Sequence, residues 1–271
     1  MINNRIIGFI GAGKMAEAII NGIIASRFVS PGNILFYDPS QERQNFICDT
    51  YNVTAVQDNQ ELCKRASVII LAIKPQQMDV VLRTIKSDVL ENMLFISIAA
   101  GITIDNIKHT INKNVKVIRT MPNTPCLLGY GMTAIAPDQI STEDDVAFVD
   151  GIFKAVGKTL ITCEDKINSI TALSGSGPAF FYEIVESFAQ AGVNHHLSYD
   201  ESLLLITQTM IGAAKMIENS KKTTKELINM VSSPGGTTVA GLKILQDGIL
   251  KDTIEKTVTA AKNRADELNK G

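Results

Sequence analysis

Residues 5–20 read RIIGFIGAGKMAEAII, and the rest of the chain is arranged around this stretch. Arg5 to Ile10 has the composition of a short, fully buried strand, and Lys14 to Ser26 has the spacing of a helix. Between them, Gly11-Ala12-Gly13 is a glycine-rich turn. Gly11, Gly13 and Ala16 match G-x-G-x-x-G/A, the spacing with which a strand–turn–helix holds a dinucleotide. Gly11 permits the tight turn, Gly13 lets backbone N–H groups approach a diphosphate, and Ala16 allows helix and strand to pack closely. The positive end of the helix then faces the phosphates. Gly8, Gly13 and Lys14 also begin the pattern G-x-x-x-x-G-K-[ST]. Met15 stands where that pattern needs a hydroxyl for magnesium, so a kinase or ATPase reading loses its metal.

Strand and helix signals alternate from here to residue 162. Strands are expected at 34–37, 54–56, 68–73, 94–98, 115–120, 129–136 and 159–162, with helices at 41–51, 59–66, 76–85, 104–111 and 143–155. This alternation predicts an α/β domain, a doubly wound parallel sheet covered on both faces. Ligands of such sheets collect beyond the carboxyl ends of the strands. That rule nominates the loops Gly11 to Met15, Asp38 to Ser40, Ala72 to Pro75 and Ala99 to Gly101. Lys74 is the conspicuous charge among them, though a solvated loop lysine would look the same. Asp38 lies about 20 residues past the fingerprint, where an acid bonds the ribose hydroxyls of NAD and repels a 2′-phosphate. Asp38-Pro39-Ser40 is equally a good turn, because Asp bonds its own backbone. Met121-Pro122-Asn123-Thr124-Pro125 interrupts the alternation with a rigid loop that could wall a pocket.

After Asp165 only helical patterning remains, so two domains are expected, 1–164 and 165–271. Ser174-Gly175-Ser176-Gly177-Pro178 reads as a turn feeding a helix at 179–191, apolar on nearly every face and ended by Gly192. Ser198 with Glu201 and Thr223 with Glu226 are capping boxes for the next two helices. Ser232-Ser233-Pro234-Gly235-Gly236-Thr237-Thr238 frees the backbone to turn N–H groups inward at a helix start, a nest suited to a small carboxylate, or else an ordinary interhelical loop. The last helix runs from about Leu250. Helices this apolar would leave large patches bare in a monomer, which predicts a dimer.

The bulk numbers exclude several classes. Net charge is −2, from 26 basic and 28 acidic residues, which points to neither nucleic acid nor an anionic membrane as partner. No apolar run approaches the ~20 residues that span a bilayer. The chain enters its first strand without a secretory leader, so the cytoplasm is the default expectation. Cys48, Cys63, Cys126 and Cys163 are widely spaced, with His109, His195 and His196 the only histidines. Neither a metal site nor a disulfide framework is expected.

Taken together, GFIGAGKMAEAI (8–19), LAIKP (71–75), SIAAG (97–101), RTMPNTP (119–125), LSGSGPAF (173–180) and VSSPGGTT (231–238) resemble the pyrroline-5-carboxylate reductase family over essentially the whole chain. The last three, in that order and spacing, are the specific ones. The resemblance implies an N-terminal Rossmann-like domain followed by an all-α dimerisation domain. It also implies an active site between one subunit's cofactor domain and helices that include the partner's. Its activity would be reduction of 1-pyrroline-5-carboxylate, a small imino acid, to proline with NADPH or NADH. By that resemblance Gly8, Gly11, Ala12, Gly13, Lys14, Met15 and the Ala72-Ile73-Lys74-Pro75 loop would hold the nucleotide. Asn123 and Thr124 would line the nicotinamide pocket. Ser233, Gly236, Thr237 and Thr238 would hold the substrate carboxylate, with Thr238 catalytic beside the imine nitrogen. The assembly would be a homodimer, or a higher assembly of dimers. Two departures stand out: Asp38 where members commonly carry Ser, Asn or Arg, and Phe180 in place of a usual tyrosine.

Two other readings fit part of the pattern. A β-hydroxyacid-dehydrogenase-type reductase shares the plan but needs a lysine early in its helical domain, where only Lys166 is available. A non-catalytic nucleotide-sensing dimer would have no use for a carboxylate nest.

Overall fold

The computed structural model describes residues 5–91 and 93–269. Eight strands form one sheet: β1 (Ile7–Ile10), β2 (Ile34–Tyr37), β3 (Thr54–Ala55), β4 (Val68–Leu71), β5 (Leu94–Ser97), β6 (Lys116–Met121), β7 (Gly131–Pro137) and β8 (Gly157–Ile161). Their order is β3-β2-β1-β4-β5-β6-β7-β8. The helices of this part are α1 (Lys14–Ala25), α2 (Gln41–Tyr51), α3 (Asn59–Arg65), α4 (Met78–Ile85), α5 (Ile104–Ile111), α6 (Glu143–Lys154) and α7 (Ile167–Ile170).

Two apolar layers explain why the central strands are near-continuous runs of Ile, Leu, Val and Phe. Ile7, Phe9, Ile34, Phe36, Val68, Ile70 and Ile96 point to one face with Ile19, Ile20 and Ile23 of α1 and Phe148, Ile152 and Phe153 of α6. The alternate residues Ile10, Leu35, Ile69, Leu71 and Phe95 point to the other, with Leu62 of α3, Leu82 and Ile85 of α4, and Ile107 and Ile111 of α5. A strand buried on both faces loses the apolar/polar alternation of a half-exposed one.

One pairing departs from the all-parallel expectation: β6 and β7 are antiparallel. A parallel return needs a crossover of a dozen or more residues. Here the link is a single 3₁₀ turn, Thr124–Leu128, closed by Gly129 in the left-handed region. The chain must therefore fold straight back. Helix α6 then supplies a true crossover, and β7 and β8 are parallel again.

By contacts the chain divides into residues 1–176 with 261–271, and residues 177–260. The sequence reading puts its boundary at 164, where strands cease. Twelve further residues nevertheless stay with the sheet, because Ile167 packs against Ala134 and Ala136 with Met121 and Ile170 beside it. The second unit contains α8 (Gly177–Asn194), α9 (Tyr199–Asn219), α10 (Thr224–Met230), α11 (Thr237–Leu245) and the start of α12 (Ile249–Leu268), whose last turns belong to the first unit. The expected turn at 174–178 is instead a wide π-turn, Thr171–Gly175, running directly into α8. Gly192 does not end α8 either. A Cβ there would meet Ser202 Oγ at 2.2 Å, so the glycine lets α8 and α9 approach. The chain turns instead at His196, with φ +69°. Both capping boxes form as read, on α9 and α10.

Candidate active site

At the carboxyl ends of β1, β2 and β4 lies a cavity of about 370 Å³ lined by Ile10, Gly11, Gly13, Tyr37, Asp38, Pro39, Asn59, Ala72, Ile73, Lys74, Gln77 and Val81. Its floor is the glycine turn. Gly11 sits at φ +92°, and a Cβ there would lie 2.6 Å from the Ala72 carbonyl. Only glycine fits both the angle and the space. Gly13 differs: it has an ordinary φ of −65° as N-cap of α1, and a Cβ there would meet nothing within 4 Å. The open space lies where the first N–H groups of α1 have no intrahelical partner.

The turn is fixed by side chains from the β2–α2 segment. Asp38 Oδ2 accepts the Ala12 N–H at 2.9 Å and Oδ1 accepts the Ser40 N–H at 3.0 Å. Arg43 Nε donates to the Ala12 carbonyl at 2.5 Å, and its other end pairs with Glu17. Burial alone would raise the Glu17 carboxyl, but the hydrogen bond and charge of Arg43, with bonds from Lys14 and Tyr51, hold it below the usual range. Asp38 thus serves as the turn former and loop anchor, with lone pairs to spare for a further donor at the cavity.

The structure brings Gly11, Gly13, Asp38, Ala72, Ile73 and Lys74 to one cavity. Gly8 is not among them: it lies within β1, buried, where a Cβ would strike Leu62 at 2.4 Å, so its smallness seats α3 on the sheet. Ala12 is buried beneath the turn. Lys14 points outward, paired with Glu17, and Met15 packs on the core. Pro75 starts the 3₁₀ turn that leads into α4. Asn123 and Thr124 follow β6. Asn123 accepts the Met132 N–H at 2.9 Å and donates to the Ser174 carbonyl at 3.1 Å, so its amide ties the β6–β7 loop to the π-turn.

Asn59 escaped the sequence reading. It opens α3 with its Oδ1 buried and unpartnered beside Asp38 in the cavity lining, an acceptor that a ribose hydroxyl would satisfy. Its signal was available, since it follows β3 at the carboxyl edge of the sheet, but nothing local ties it to the glycine turn.

In the helical unit, residues 231–238 form the expected bend. Gly235 has φ +73°, the Gly236 N–H bonds back to the Ser233 carbonyl at 3.0 Å, and Gly236 is the N-cap of α11. No side chain caps this helix, which leaves the N–H groups of its first turn pointing outward. Thr237 and Thr238 carry hydroxyls at that end.

A glycine turn between a buried strand and a helix, an unpartnered acceptor lining the same cavity and a separate uncapped helix start define the class: a Rossmann-type oxidoreductase that takes a nicotinamide dinucleotide. Residues 6–101 match a family model described as NADP oxidoreductase, coenzyme F420-dependent, and residues 164–268 match one described as pyrroline-5-carboxylate reductase dimerisation. A pyrroline-5-carboxylate reductase of Escherichia coli is 34% identical over 264 residues, 97% of this chain and 98% of that one. Among solved structures, one of a pyrroline-5-carboxylate reductase from Coxiella burnetii is 36% identical with a TM-score of 0.94, covering 99% of this chain and 100% of that chain. Another, the Plasmodium falciparum pyrroline carboxylate reductase with NADP bound, is 31% identical with a TM-score of 0.87, covering 98% of each chain. The chain belongs to the pyrroline-5-carboxylate reductase family.

Proposed function

We infer that this protein reduces 1-pyrroline-5-carboxylate to L-proline with NADPH or NADH, the last step of proline biosynthesis. The observation that carries the reading is the pairing, in one chain of this family, of an open glycine turn with an uncapped, glycine-preceded helix start. The first suits a diphosphate and the second a small carboxylate.

The nucleotide, when bound, supplies the hydride. Gly11, Gly13 and the N-terminus of α1 hold its diphosphate, Asp38 and Asn59 its adenosine ribose, and Lys74 adds a cation at the mouth. On the carboxyl edge of β4–β6, Asn123 and Thr124 wall the nicotinamide side. By the family resemblance Ser233, Gly236, Thr237 and Thr238 would bind the substrate carboxylate, with the Thr238 hydroxyl near the imine nitrogen. A cyclic imine of this kind takes up a proton readily near neutral pH, so positioning matters more than a strong side-chain acid. No histidine is asked to act: His195 and His196 lie in the α8–α9 turn. We place the enzyme in the cytoplasm, where a reducing environment keeps its cysteines as the free thiols they are here.

The test is nicotinamide absorbance with pyrroline-5-carboxylate, run with each reduced cofactor in turn. Loss of absorbance with stoichiometric appearance of proline is expected. No proline with either cofactor would remove the assignment.

A further inference from the structure

Among the described residues Arg119 is the largest fully buried side chain, in the middle of β6 at 2% exposure. It donates from Nη1 to Glu164 Oε1 at 3.1 Å and from Nη2 to Asn269 Oδ1 at 3.3 Å, with a longer approach to Asn168 Oδ1 at 3.5 Å. Its Nε is buried with no partner. An apolar residue of similar volume would serve stability alone at least as well, because a buried ion pair rarely repays its desolvation. A guanidinium kept here with one N–H unmatched calls for another account.

The partners of Arg119 supply it. The Glu164 oxygen that takes the guanidinium also accepts the Ile104 N–H at 2.9 Å, at the start of α5. Asn269 donates to Asn168 at 3.1 Å, and Asn168 donates to Asp266 at 2.8 Å, so the end of α12 is laced to α7 through the same cluster. One residue before Asn269, Leu268 lies against Gly101: a Cβ on that glycine would meet Leu268 at 3.1 Å. Gly101 is in the left-handed region at φ +76°, in the loop between β5 and α5. Arg119 is therefore the hub that fixes both the far end of the 98–103 loop, through Glu164, and the helix end that backs it, through Asn269. The near end is fixed separately, by Ser97 Oγ accepting the Ala99 N–H at 3.3 Å. Behind the loop is a cavity of about 310 Å³ lined by these same polar residues with Thr103, Asp105 and Asp165. Ala99 and Ile102 pack the other side of the loop on the core, so the hydrogen bonds brace the side that packing leaves open.

In a doubly wound sheet whose glycine turn follows β1, the adenosine half of a dinucleotide lies over β1–β3 and the nicotinamide half over β4–β6. The 98–103 loop stands at the carboxyl end of β5. We propose that Arg119 is a positioning residue for the nicotinamide: it touches neither cofactor nor substrate, but sets the Ala99–Gly101 backbone against which the nicotinamide rests. This deepens the reductase reading and rests on it.

The test uses the full-length protein with Arg119→Lys and the milder Asn269→Ala, which leaves the Arg119–Glu164 pair intact. Three quantities are read: nucleotide Kd, kcat with pyrroline-5-carboxylate, and the primary deuterium isotope effect from 4-deuterated reduced cofactor. Nucleotide Kd is expected to stay within about twofold, kcat to fall about tenfold and the isotope effect to rise, because a displaced nicotinamide slows hydride transfer itself. A variant that melts with the wild type but keeps its kcat and isotope effect overturns the proposal. Should Arg119→Lys fail to fold, Asn269→Ala decides alone. If the wild type forms no proline, the reductase reading fails by itself. The emission of bound reduced nicotinamide then replaces kcat: a changed emission at unchanged affinity supports Arg119 as a positioning residue, and an unchanged one overturns it.

Discussion

At the scale of single residues, the three glycines of the first motif do three different jobs, and substitution separates them. Gly11 is held by angle and space, Gly8 by the side chain of Leu62, and Gly13 by nothing in the protein itself. Gly13→Val should lower the melting temperature by only a few degrees, the cost of a poorer N-cap, while nucleotide binding, measured by calorimetric titration, weakens at least tenfold. Gly8→Val should do the reverse, losing stability through overpacking. Asp38 makes a second separable case. Its charge opposes a 2′-phosphate, whereas its oxygens anchor Ala12 and Ser40. Asp38→Asn removes the charge and one acceptor. The ratio of NADPH to NADH kcat/KM should rise about tenfold, while kcat/KM with NADH falls as the anchor loosens. A ratio unmoved by the substitution would mean that Asp38 plays no part in cofactor choice.

At the scale of elements, α6 and α11 show what a helix start does when it is capped and when it is not. Asp145 of α6 completes a capping box with Thr142 and accepts from Arg5 and Lys116, all at a buried site. Burial would raise its carboxyl, but Lys116, Thr142 and Arg5 together drive it far below the usual range. A carboxylate depressed in the folded state adds stability above its unfolded pKa, and that contribution disappears as pH falls through the folded value. Asp145→Asn should therefore cost on the order of 3 kcal/mol at pH 7, with the gap to wild type closing below about pH 4; urea melts at several pH values measure it. Helix α11 has no side-chain cap, and its Thr238 hydroxyl is free for a ligand. Thr238→Ala should lower kcat about tenfold or more while nucleotide affinity survives, and an unchanged kcat would take Thr238 out of the reaction.

At the scale of the whole molecule, the sheet unit closes its own core but the helical unit does not. Phe181, Tyr182 and Phe188 of α8 and Leu204, Leu205, Ile211 and Ile217 of α9 are each at least half exposed in the single chain. Apolar surface on that scale marks a subunit interface, as the dimerisation model matched over residues 164–268 describes. Light scattering should report a dimer or an even multiple of it. Leu204→Asp should shift the mass toward the monomer and reduce activity with it, since a charge there would be desolvated on association.

The sequence alone determined nearly every element, because apolar spacing, capping boxes and glycine punctuation are local signals. It also located the glycine turn, the Lys74 loop and the Gly235 bend. What it could not reach were properties set by residues distant in the chain. The antiparallel β6–β7 return, the close approach of Gly192 to Ser202, the packing role of Gly8 and the place of Asn59 beside Asp38 all depend on which segments become neighbours. Arg119 is the sharpest example. Within RTMPNTP it is one charge in a strand, and only the folded chain brings Glu164, Asn168 and Asn269 around it. A buried charge is stable only with partners, and partners are chosen by tertiary packing, which no local pattern records.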